Sequence, residues 1–475
     1  MIFYDKKSVT NQVKKIKTEV DKMESKKRYS RRSFLQTSGA TLGASLMTVP
    51  FANVVKASPA KKRVALVGTG VRGVSMYGRR LLQDYSDYVE LVGVCDINPG
   101  RLSYGKRYIG TDAPTYTDID KMLSEVQPET LMVISRDDVH HEHIIKGLEN
   151  GCDVICEKPM TIDEKKAQAV IDADRKSAGN VIVTFNYRYP PYRAKMKQMI
   201  MDGMIGDIEQ VEFHWNITHG HLMRYMQRWH GERDFGGTLW VHKNTHHFDM
   251  VNWYLDSDPV QVHAYGSLDL FGANSDYRGN NCRDCQFTAK CPYHWDITQN
   301  DHMRRMYTDN EHYDGYIRDN CVFRKEIDIY DRHTAVVKYA NGAYMNYSLS
   351  AHSEYSGYWM ALNGSKGRLE VRTHSYPERD YEEILFTPNR RYTNEPPRMV
   401  RVHHGAGGHW GGDPILMDQL FKNPDKPDPL GQQAGVRDGA MSILTGIAAR
   451  KSVETGMPVD IEGLTDLKPM AKRPK

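Results

Sequence analysis

The stretch RVALVGTGVRG, from Arg63 to Gly73, joins an apolar run to a turn with three glycines, and a helical pattern follows from Val74. This order predicts a buried strand, a tight turn and the start of a helix. The first two glycines would let the backbone approach a pyrophosphate closely, the third would let the helix pack on the strand, and the helix N-terminus would supply amides. The stretch therefore predicts a dinucleotide-binding turn, made by Gly68, Gly70, Val71, Arg72 and Gly73.

A second apolar run, from Val89 to Cys95, ends in Asp96, which lies 23 residues after Gly73. An acid at this place hydrogen-bonds the ribose 2′-hydroxyl of a dinucleotide and repels a 2′-phosphate. The sequence therefore favours NAD as the cofactor, while Arg101 nearby leaves NADP open as the alternative.

Apolar runs continue to alternate with helical patterns along the next ninety residues. Such alternation predicts an α/β fold with a doubly wound parallel sheet, so residues 61–186 are expected to form one NAD-binding Rossmann domain. The further strands are predicted at 130–134, 153–156 and 181–186, and the helices from 99 and at 119–126, 139–150 and 163–178.

The first 57 residues have the pattern of an export signal. They hold twelve Lys or Arg and four acids, so they carry +8 in a chain whose formal net charge is +4. Arg31 and Arg32 are followed by a modestly apolar, small-residue stretch at 37–55 and by small residues around Ala57. This layout predicts a twin-arginine signal and a periplasmic or otherwise exported protein that folds around its cofactor before export. Several Gly, Ser and Thr make the stretch too polar for a stable membrane anchor.

The charge of the remaining chain argues against a nucleic-acid partner. Removing the +8 of the signal leaves a body of about −4. Nucleic-acid binding relies on clustered positive charge, which this near-neutral body does not suggest.

After the signal, the glycine turn is followed by four further motifs, which are DINP at 96–99, VHHEH at 139–143, GCDVICEKPM at 151–160 and GMIGDI at 203–208. Through these motifs the sequence resembles the glucose-fructose oxidoreductase, inositol dehydrogenase and MocA (Gfo/Idh/MocA) family. The resemblance implies that residues 187–433 form a substrate-binding α+β domain with a large, mainly antiparallel open sheet, and that 434–475 form a C-terminal helix and tail.

The resemblance also implies which side chains do the chemistry. Lys158 resembles the catalytic lysine of the family, and His246 matches its proton-exchanging histidine. Relatives have Asp four residues before that histidine, where this chain has His242, so Lys243 is an alternative acid/base group. Positions four apart on a helix share one face, so His242 and His246 would point into one pocket. The remaining cofactor contacts would come from His140, Glu157 and Asn186.

Polar and aromatic residues of the second domain are candidates for the sugar pocket, since aromatic rings stack on pyranose faces and Arg bridges hydroxyls; each could instead pack in the core. These candidates are Tyr187, Arg188, Arg228, His230 and His247.

Four of the seven cysteines fall in one predicted insertion, residues 279–325. Cys282 and Cys285 have the Cys-x2-Cys spacing of thiolates that wrap a metal, and Cys291 and Cys321 could complete a tetrahedral zinc site. Export favours disulfides as the alternative, and an iron–sulfur cluster is a third possibility. The expectation is a structural zinc.

These features together predict an exported oxidoreductase that acts on the hydroxyl of a sugar, glycoside or polyol. Free NAD is scarce outside the cytoplasm, so the dinucleotide should stay tightly bound. The alternative is an NAD-dependent glycoside hydrolase with an oxidation–elimination mechanism, because VHHEH also resembles glycoside hydrolase family 109; that family lacks the Glu157-Lys158-Pro159 motif present here. A third reading is a non-catalytic sugar sensor. The open sheet face makes a homo-oligomer plausible.

Overall fold

The strand before the glycine turn lies inside a six-stranded parallel sheet in the computed structural model, which describes residues 60–374 and 379–473. The predicted signal at 1–57 lies outside the described residues. The strand order is β3-β2-β1-β4-β5-β6, so it reverses between β1 and β4 and leaves a crevice at the carboxyl ends of these strands. The strands are β1 (Lys62–Val67), β2 (Val89–Cys95), β3 (Thr115–Tyr116), β4 (Thr130–Val133), β5 (Asp153–Cys156) and β6 (Val181–Val183).

Two hydrophobic clusters show that helices cover both faces of this sheet. Val74 and Leu102 pack on one face with Leu66, whereas Met122 and Ile144 belong with Val67 to the other cluster. The predicted doubly wound parallel sheet is therefore confirmed. The helices are Arg72–Gly78, which continues as Arg79–Asp84, then Pro99–Ile109, Ile119–Val126, His140–Glu149 and Glu164–Lys176.

The second sheet has nine strands in the order β14-β13-β12-β11-β7-β10-β9-β8-β15. Its neighbours are antiparallel except β7 and β10, which run parallel, so the predicted mainly antiparallel sheet is confirmed. The last three strands in chain order, β13 to β15, were not predicted; β13 alternates between buried and half-buried residues, but its apolar residues are consecutive in the sequence. The strands are β7 (Ile208–Thr218), β8 (Pro259–Ser267), β9 (Arg332–Tyr339), β10 (Tyr344–Ser353), β11 (Gly357–Gly364), β12 (Gly367–His374), β13 (Tyr381–Pro388), β14 (Arg398–His403) and β15 (Val459–Asp460).

One face of this second sheet is covered and the other is open. Residues of β9 alternate strictly between exposed and buried, as expected when a sheet packs on one side only. The helices of this part of the chain are Pro191–Met201, His219–Met226, Arg233–Gly236, Leu239–His242, Thr245–Leu255, Gly412–Met417 and Val436–Thr455. Of these, Gly412–Met417 packs through Leu416 and Met417 in a hydrophobic cluster of the parallel sheet.

The C-terminal helix Val436–Thr455 joins the two sheets. Near its start it packs against Met160 and Val183 of the parallel-sheet domain. Further on, a Cβ at Gly446 would lie 2.2 Å from the carbonyl oxygen of Trp240, so only glycine allows this approach. The helix therefore fixes the segment after Trp240 relative to the end of β5.

A long insertion separates β8 from β9. It carries the four clustered cysteines and the short helices Ile297–Gln299, Asp301–Met306 and Thr308–Tyr313. Within the two described ranges, no helix is both long and apolar enough to cross a membrane.

Candidate active site

The glycine turn has the geometry that its sequence predicts. Gly68 has a φ of +102°, and a Cβ there would lie 2.4 Å from the carbonyl oxygen of Ile134. Beside it, Gly70 is open, since a Cβ would meet only the hydroxyl of Tyr307 at 3.5 Å. The backbone of the turn thus leaves the helix N-terminus open to the crevice, where the Tyr307 hydroxyl accepts from the Val71 amide at 3.1 Å, and the glycines fit the predicted dinucleotide.

Asp96 follows β2, as predicted, but it is buried within a network. Its carboxylate accepts from the amide and hydroxyl of Thr69, both at 2.8 Å, and from the amide of Asn98 at 2.9 Å. It also pairs with Arg101 at 3.1 Å. The contact of Asp96 with a ribose therefore stays a prediction, and it would require Arg101 to share the carboxylate.

Glu157 anchors the end of β5 beside the glycine turn. Its carboxylate accepts from the Arg72 side chain at 2.7 Å and from the Tyr77 hydroxyl at 2.8 Å. The Arg72 charge and these hydrogen bonds hold the pKa of Glu157 below its ordinary value despite burial. His140 is buried as well, with Nδ1 2.8 Å from the Pro159 carbonyl oxygen. It braces the loop that presents Lys158 rather than facing the crevice.

Asn186 lies where the chain leaves β6. Its side-chain nitrogen donates to Asp413 at 2.7 Å, while its buried oxygen has no hydrogen-bond partner within the described chain. Asp413 also accepts from His409 at 2.8 Å. Through Asp413, His409 is therefore linked to Asn186 at the edge of the site.

Lys158, which follows β5 of the parallel sheet, contacts His242 of the second domain. The Lys158 Nζ donates to the backbone oxygen of His242 at 3.2 Å, and the His242 Nδ1 lies 2.5 Å from the Oδ2 of Asp137. Burial, together with neighbouring positive charge, lowers the pKa of Lys158 to about 8, although Asp137 opposes the shift. Burial raises the pKa of Asp137 and lowers that of His242.

Asp137 was not predicted from the sequence. It lies just after β4, in the crevice where the strand order reverses, and this position together with its acidity was the available signal. The resemblance implied an aspartate at position 242. The chain has His242 there, and Asp137 brings a carboxyl group from the parallel-sheet domain into contact with it.

The predicted single helix carrying His242 and His246 is not observed. One helix, Leu239–His242, ends before Lys243, and the next begins at Thr245, because the amide of Asn244 bonds back to Leu239 and interrupts the regular ladder. Burial lowers the pKa of both imidazoles, and the charge of Lys158 adds to each shift, so both lie in the region of Lys158; their role in one site stays a prediction.

His246 lies in an aromatic stack. Its ring is parallel to that of Tyr187, with centroids 4.1 Å apart, and Tyr187 stacks in turn on Trp215. The Lys243 Nζ donates to the Tyr187 hydroxyl at 2.9 Å. Burial lowers the pKa of His246, so the ring is neutral at physiological pH, and its buried Nδ1 has no hydrogen-bond partner among the described residues. A neutral imidazole with a free nitrogen can accept a proton.

The structure divides the predicted substrate residues into two groups. Tyr187, His230 and Arg228 are close to His242 or His246; the His230 ring stacks on Trp229 and meets the His242 ring edge-on, with centroids 4.1 Å apart. The Arg188 guanidinium is buried and pairs with Asp249 at 2.5 Å and Asp438 at 2.9 Å.

Arg188 thus links two helices through Asp249 and Asp438 and does not line a sugar pocket. His247 is fully buried as well; it lies 2.7 Å from the Tyr347 hydroxyl and stacks on Trp215, below the site.

The clustered cysteines line one cavity in the insertion, together with His294. All seven cysteines are unpaired, so the disulfide alternative is not observed. Throughout the described ranges, no group of three or more His, Cys, Asp or Glu side chains is arranged to hold a metal ion. Burial raises the pKa of Cys282 to about 11, which favours a protonated thiol. The zinc prediction is therefore not supported.

Comparison with known proteins places this geometry in a class of NAD-binding oxidoreductases. Residues 62–185 match the family model for an oxidoreductase family with an NAD-binding Rossmann fold, and 197–461 match the C-terminal alpha/beta domain of the same family. YteT of Bacillus subtilis (strain 168) is 35% identical over 426 residues, covering 85% of this chain and 98% of that protein. The chain belongs to the Gfo/Idh/MocA oxidoreductase family, as its motifs predict.

More distant relatives include dehydrogenases of sugars and polyols. D-glucoside 3-dehydrogenase of Escherichia coli (strain K12) is 29% identical over 148 residues, or 31% of this chain and 41% of that protein. Among solved structures, levoglucosan dehydrogenase in complex with NADH and levoglucosan has a TM-score of 0.61 at 16% identity, covering 85% of this chain and all of the other. That structure shows a shared fold.

Proposed function

We propose that this chain is an exported dehydrogenase that moves a hydride between a secondary hydroxyl of a carbohydrate and a tightly bound NAD. The observation that carries the proposal is the hydrogen bond from Lys158 to the His242 carbonyl, made next to Glu157, which holds Arg72 of the glycine turn. The family relationship supports oxidoreductase chemistry on a sugar or polyol, and the names of the relatives suggest the substrate class.

The residues divide the reaction between them. When bound, NAD would accept the hydride from the carbon that carries the hydroxyl. The hydroxyl proton would pass to the neutral ring of His246, whose stacking on Tyr187 fixes its orientation. Lys158, held by the His242 carbonyl, would donate a hydrogen bond to the oxygen that becomes the carbonyl. Asp137 would hold the His242 ring and balance the charge of Lys158.

Export and tight binding are parts of the proposal that rest on the sequence. The paired arginines and the apolar stretch after them support transport of a folded protein, which suits an enzyme that carries its cofactor with it. A resident dinucleotide must be reoxidised on the enzyme, and a second carbonyl sugar would serve as the hydride acceptor.

A redox-assisted glycosidase is the second candidate, since the same residues could oxidise a ring hydroxyl and later return the hydride. Incubating the purified full chain with glycosides and with free sugars distinguishes the two. A dehydrogenase oxidises the sugar and reduces bound NAD in equal amounts. A glycosidase releases the aglycone with no net reduction, and this result would replace the proposed function.

We extend the proposal to self-association through the open face of the nine-stranded sheet. Tyr265, Val336 and Tyr344 lie on β8, β9 and β10 and are 66%, 48% and 49% exposed. A row of exposed apolar side chains across adjacent strands suits a face that packs against a second copy. Light scattering after size-exclusion chromatography tests this, and a monomer at all concentrations would refute it.

A further inference from the structure

The segment from Asp301 to Arg318, called the strap below, crosses from the cysteine-rich insertion to the parallel-sheet domain. His302 packs on Tyr104 and Tyr108 of the helix after β2, with its ring centroid 4.5 Å from that of Tyr108. Asn310 accepts a hydrogen bond from the Asn98 side chain at 2.8 Å. The strap therefore lies against the helix that follows Asp96.

Two further contacts bring the strap to the predicted cofactor residues themselves. Asp314 pairs with Arg101 at 2.6 Å, and Arg101 in turn holds Asp96. The hydroxyl of Tyr307 accepts a hydrogen bond from the amide of Val71 at 3.1 Å. That amide belongs to the glycine turn, where a pyrophosphate oxygen is bound in folds of this kind. The strap thus reaches both the ribose and the phosphate positions of the turn.

Behind Tyr307 lie two arginines that have no carboxylate partner among the described residues. The guanidinium carbon of Arg318 is 4.2 Å from the centroid of the Tyr307 ring, and the buried Nε of Arg318 lacks a hydrogen-bond partner. The guanidinium carbon of Arg228 lies 5.4 Å from the centroid of the Tyr225 ring, and burial together with the positive charge of Arg318 lowers the pKa of Arg228 to about 10. Two adjacent guanidiniums without an anion are electrostatically unfavourable unless a ligand supplies the negative charge.

The position of the pair indicates which anion fits. Arg318 adjoins the tyrosine that contacts the glycine turn, and Arg228 packs on Tyr225, whose ring centroid lies 5.3 Å from that of His242. The pair therefore spans the distance between the turn and the catalytic residues. A dinucleotide bound with its reactive ring at Lys158 has its pyrophosphate along this path, and two guanidiniums match the two charges of that group.

We propose that Arg228, Tyr307 and Arg318 form the outer wall of the dinucleotide site and that the two arginines bind its pyrophosphate, so that the strap retains the cofactor. This rests on the proposed function, since it takes the ligand to be NAD. The cysteine-rich insertion then has a role without a metal: it holds the strap, for Asp319 next to Arg318 accepts from the amide of Arg283 beside Cys282.

The test measures binding rather than turnover. NADH release from the full chain is followed by nicotinamide fluorescence after adding excess NAD, and the affinities of ADP-ribose and adenosine are measured by competition. Arg318→Gln should release NADH about 10- to 100-fold faster and weaken ADP-ribose equally, because a charged hydrogen bond is lost. Adenosine, which has no phosphate, should bind unchanged, and Arg318→Lys should recover part of the loss.

A second variant and a control separate this from a folding defect. Tyr307→Phe keeps the ring under Arg318 and removes only the hydroxyl, so it should weaken ADP-ribose about three- to tenfold. Arg305→Gln, an exposed strap residue paired with Asp301, should leave all three ligands unchanged.

Equal NADH release from wild type and Arg318→Gln would overturn the proposal and leave the dehydrogenase assignment standing. Equal weakening of adenosine and ADP-ribose would also overturn it, since the strap would then be only structural. The proposal would also be overturned if Arg318→Gln left NADH binding unchanged and raised only the KM for an acidic sugar, because Arg318 would then bind the substrate. A wild-type chain that binds no dinucleotide would overturn both this inference and the proposed function.

Discussion

The Nδ1 of His242 lies 2.5 Å from the Oδ2 of Asp137, and this contact joins the parallel-sheet domain to the helix that precedes His246. Asp137 also raises the pKa of Lys158, so its carboxyl group acts on both His242 and Lys158. Because Asp137 lies at the end of β4 and His242 in the other domain, the pair also fixes the two domains relative to each other at the site.

Asp137→Asn tests the role of this pair. The amide cannot hold the imidazole as a carboxylate does, and the Lys158 charge loses its balancing partner, so kcat should fall about 10- to 100-fold. Asp137 raises the pKa of Lys158, so the alkaline limb of the pH profile should move to lower pH. Asp138→Asn removes the neighbouring carboxylate, which pairs with the exposed Arg136, and should leave kcat and the alkaline limb unchanged. An unmoved alkaline limb in Asp137→Asn would show that the pair only supports the fold.

The lowered pKa of Lys158, about 8, predicts the pH dependence of the reaction. The hydrogen bond to the substrate oxygen requires the protonated amine, so kcat should fall as the pH rises through about 8. Arg keeps its charge over this range, so Lys158→Arg should retain some activity and lose the alkaline limb. His246 has its pKa lowered by burial, so its neutral form should persist to below pH 6.5. An alkaline limb that persists in Lys158→Arg would mean that another group titrates.

Arg188→Ala should act on stability and not on substrate binding. The substitution leaves Asp249 buried without its partner, and breaking a buried ion pair of this kind costs about 3–5 kcal/mol of unfolding free energy. Urea unfolding measures the loss. Arg188→Ala combined with Asp249→Asn should be more stable than Arg188→Ala alone. Unchanged stability with a raised KM for the sugar would return Arg188 to the pocket, where the sequence had placed it.

The clustered cysteines should all be free thiols. The structure has seven unpaired cysteines, so chain unfolded without reductant should give seven titratable thiols. Elemental analysis of the folded protein checks the same point. Two or four missing thiols would indicate disulfides, and one zinc per chain would show that the thiols rearrange around a metal.

The fold could be predicted because the decisive signals are local. The apolar run before Gly68, the glycine turn and the acid after β2 lie close together in sequence, and each specifies its own backbone conformation. The strand β13 was missed because its burial alternates while its sequence does not: Ile384, Leu385 and Phe386 are consecutive apolar residues, and only Ile384 and Phe386 are buried. In β14 no residue is more than half-buried, so the strand has no buried apolar face to reveal it.

The site was harder to predict because its partners are distant in sequence. Lys158 and His246 were found from motifs, but Asp137 and His242 meet across 105 residues, and Tyr307 reaches Val71 across 236. Arg188 was misread because its type fits a sugar pocket equally well, and only the fold shows that Asp249 occupies its guanidinium.

The central claim is most directly tested by a single turnover of the full chain loaded with NAD and mixed with a panel of sugars and polyols. The wild type should reduce its bound NAD in equal amount to the sugar oxidised, and His246→Ala and Lys158→Ala should slow this step by about 10²- to 10⁴-fold while still binding NAD. Full rates of reduction in both variants would contradict the account.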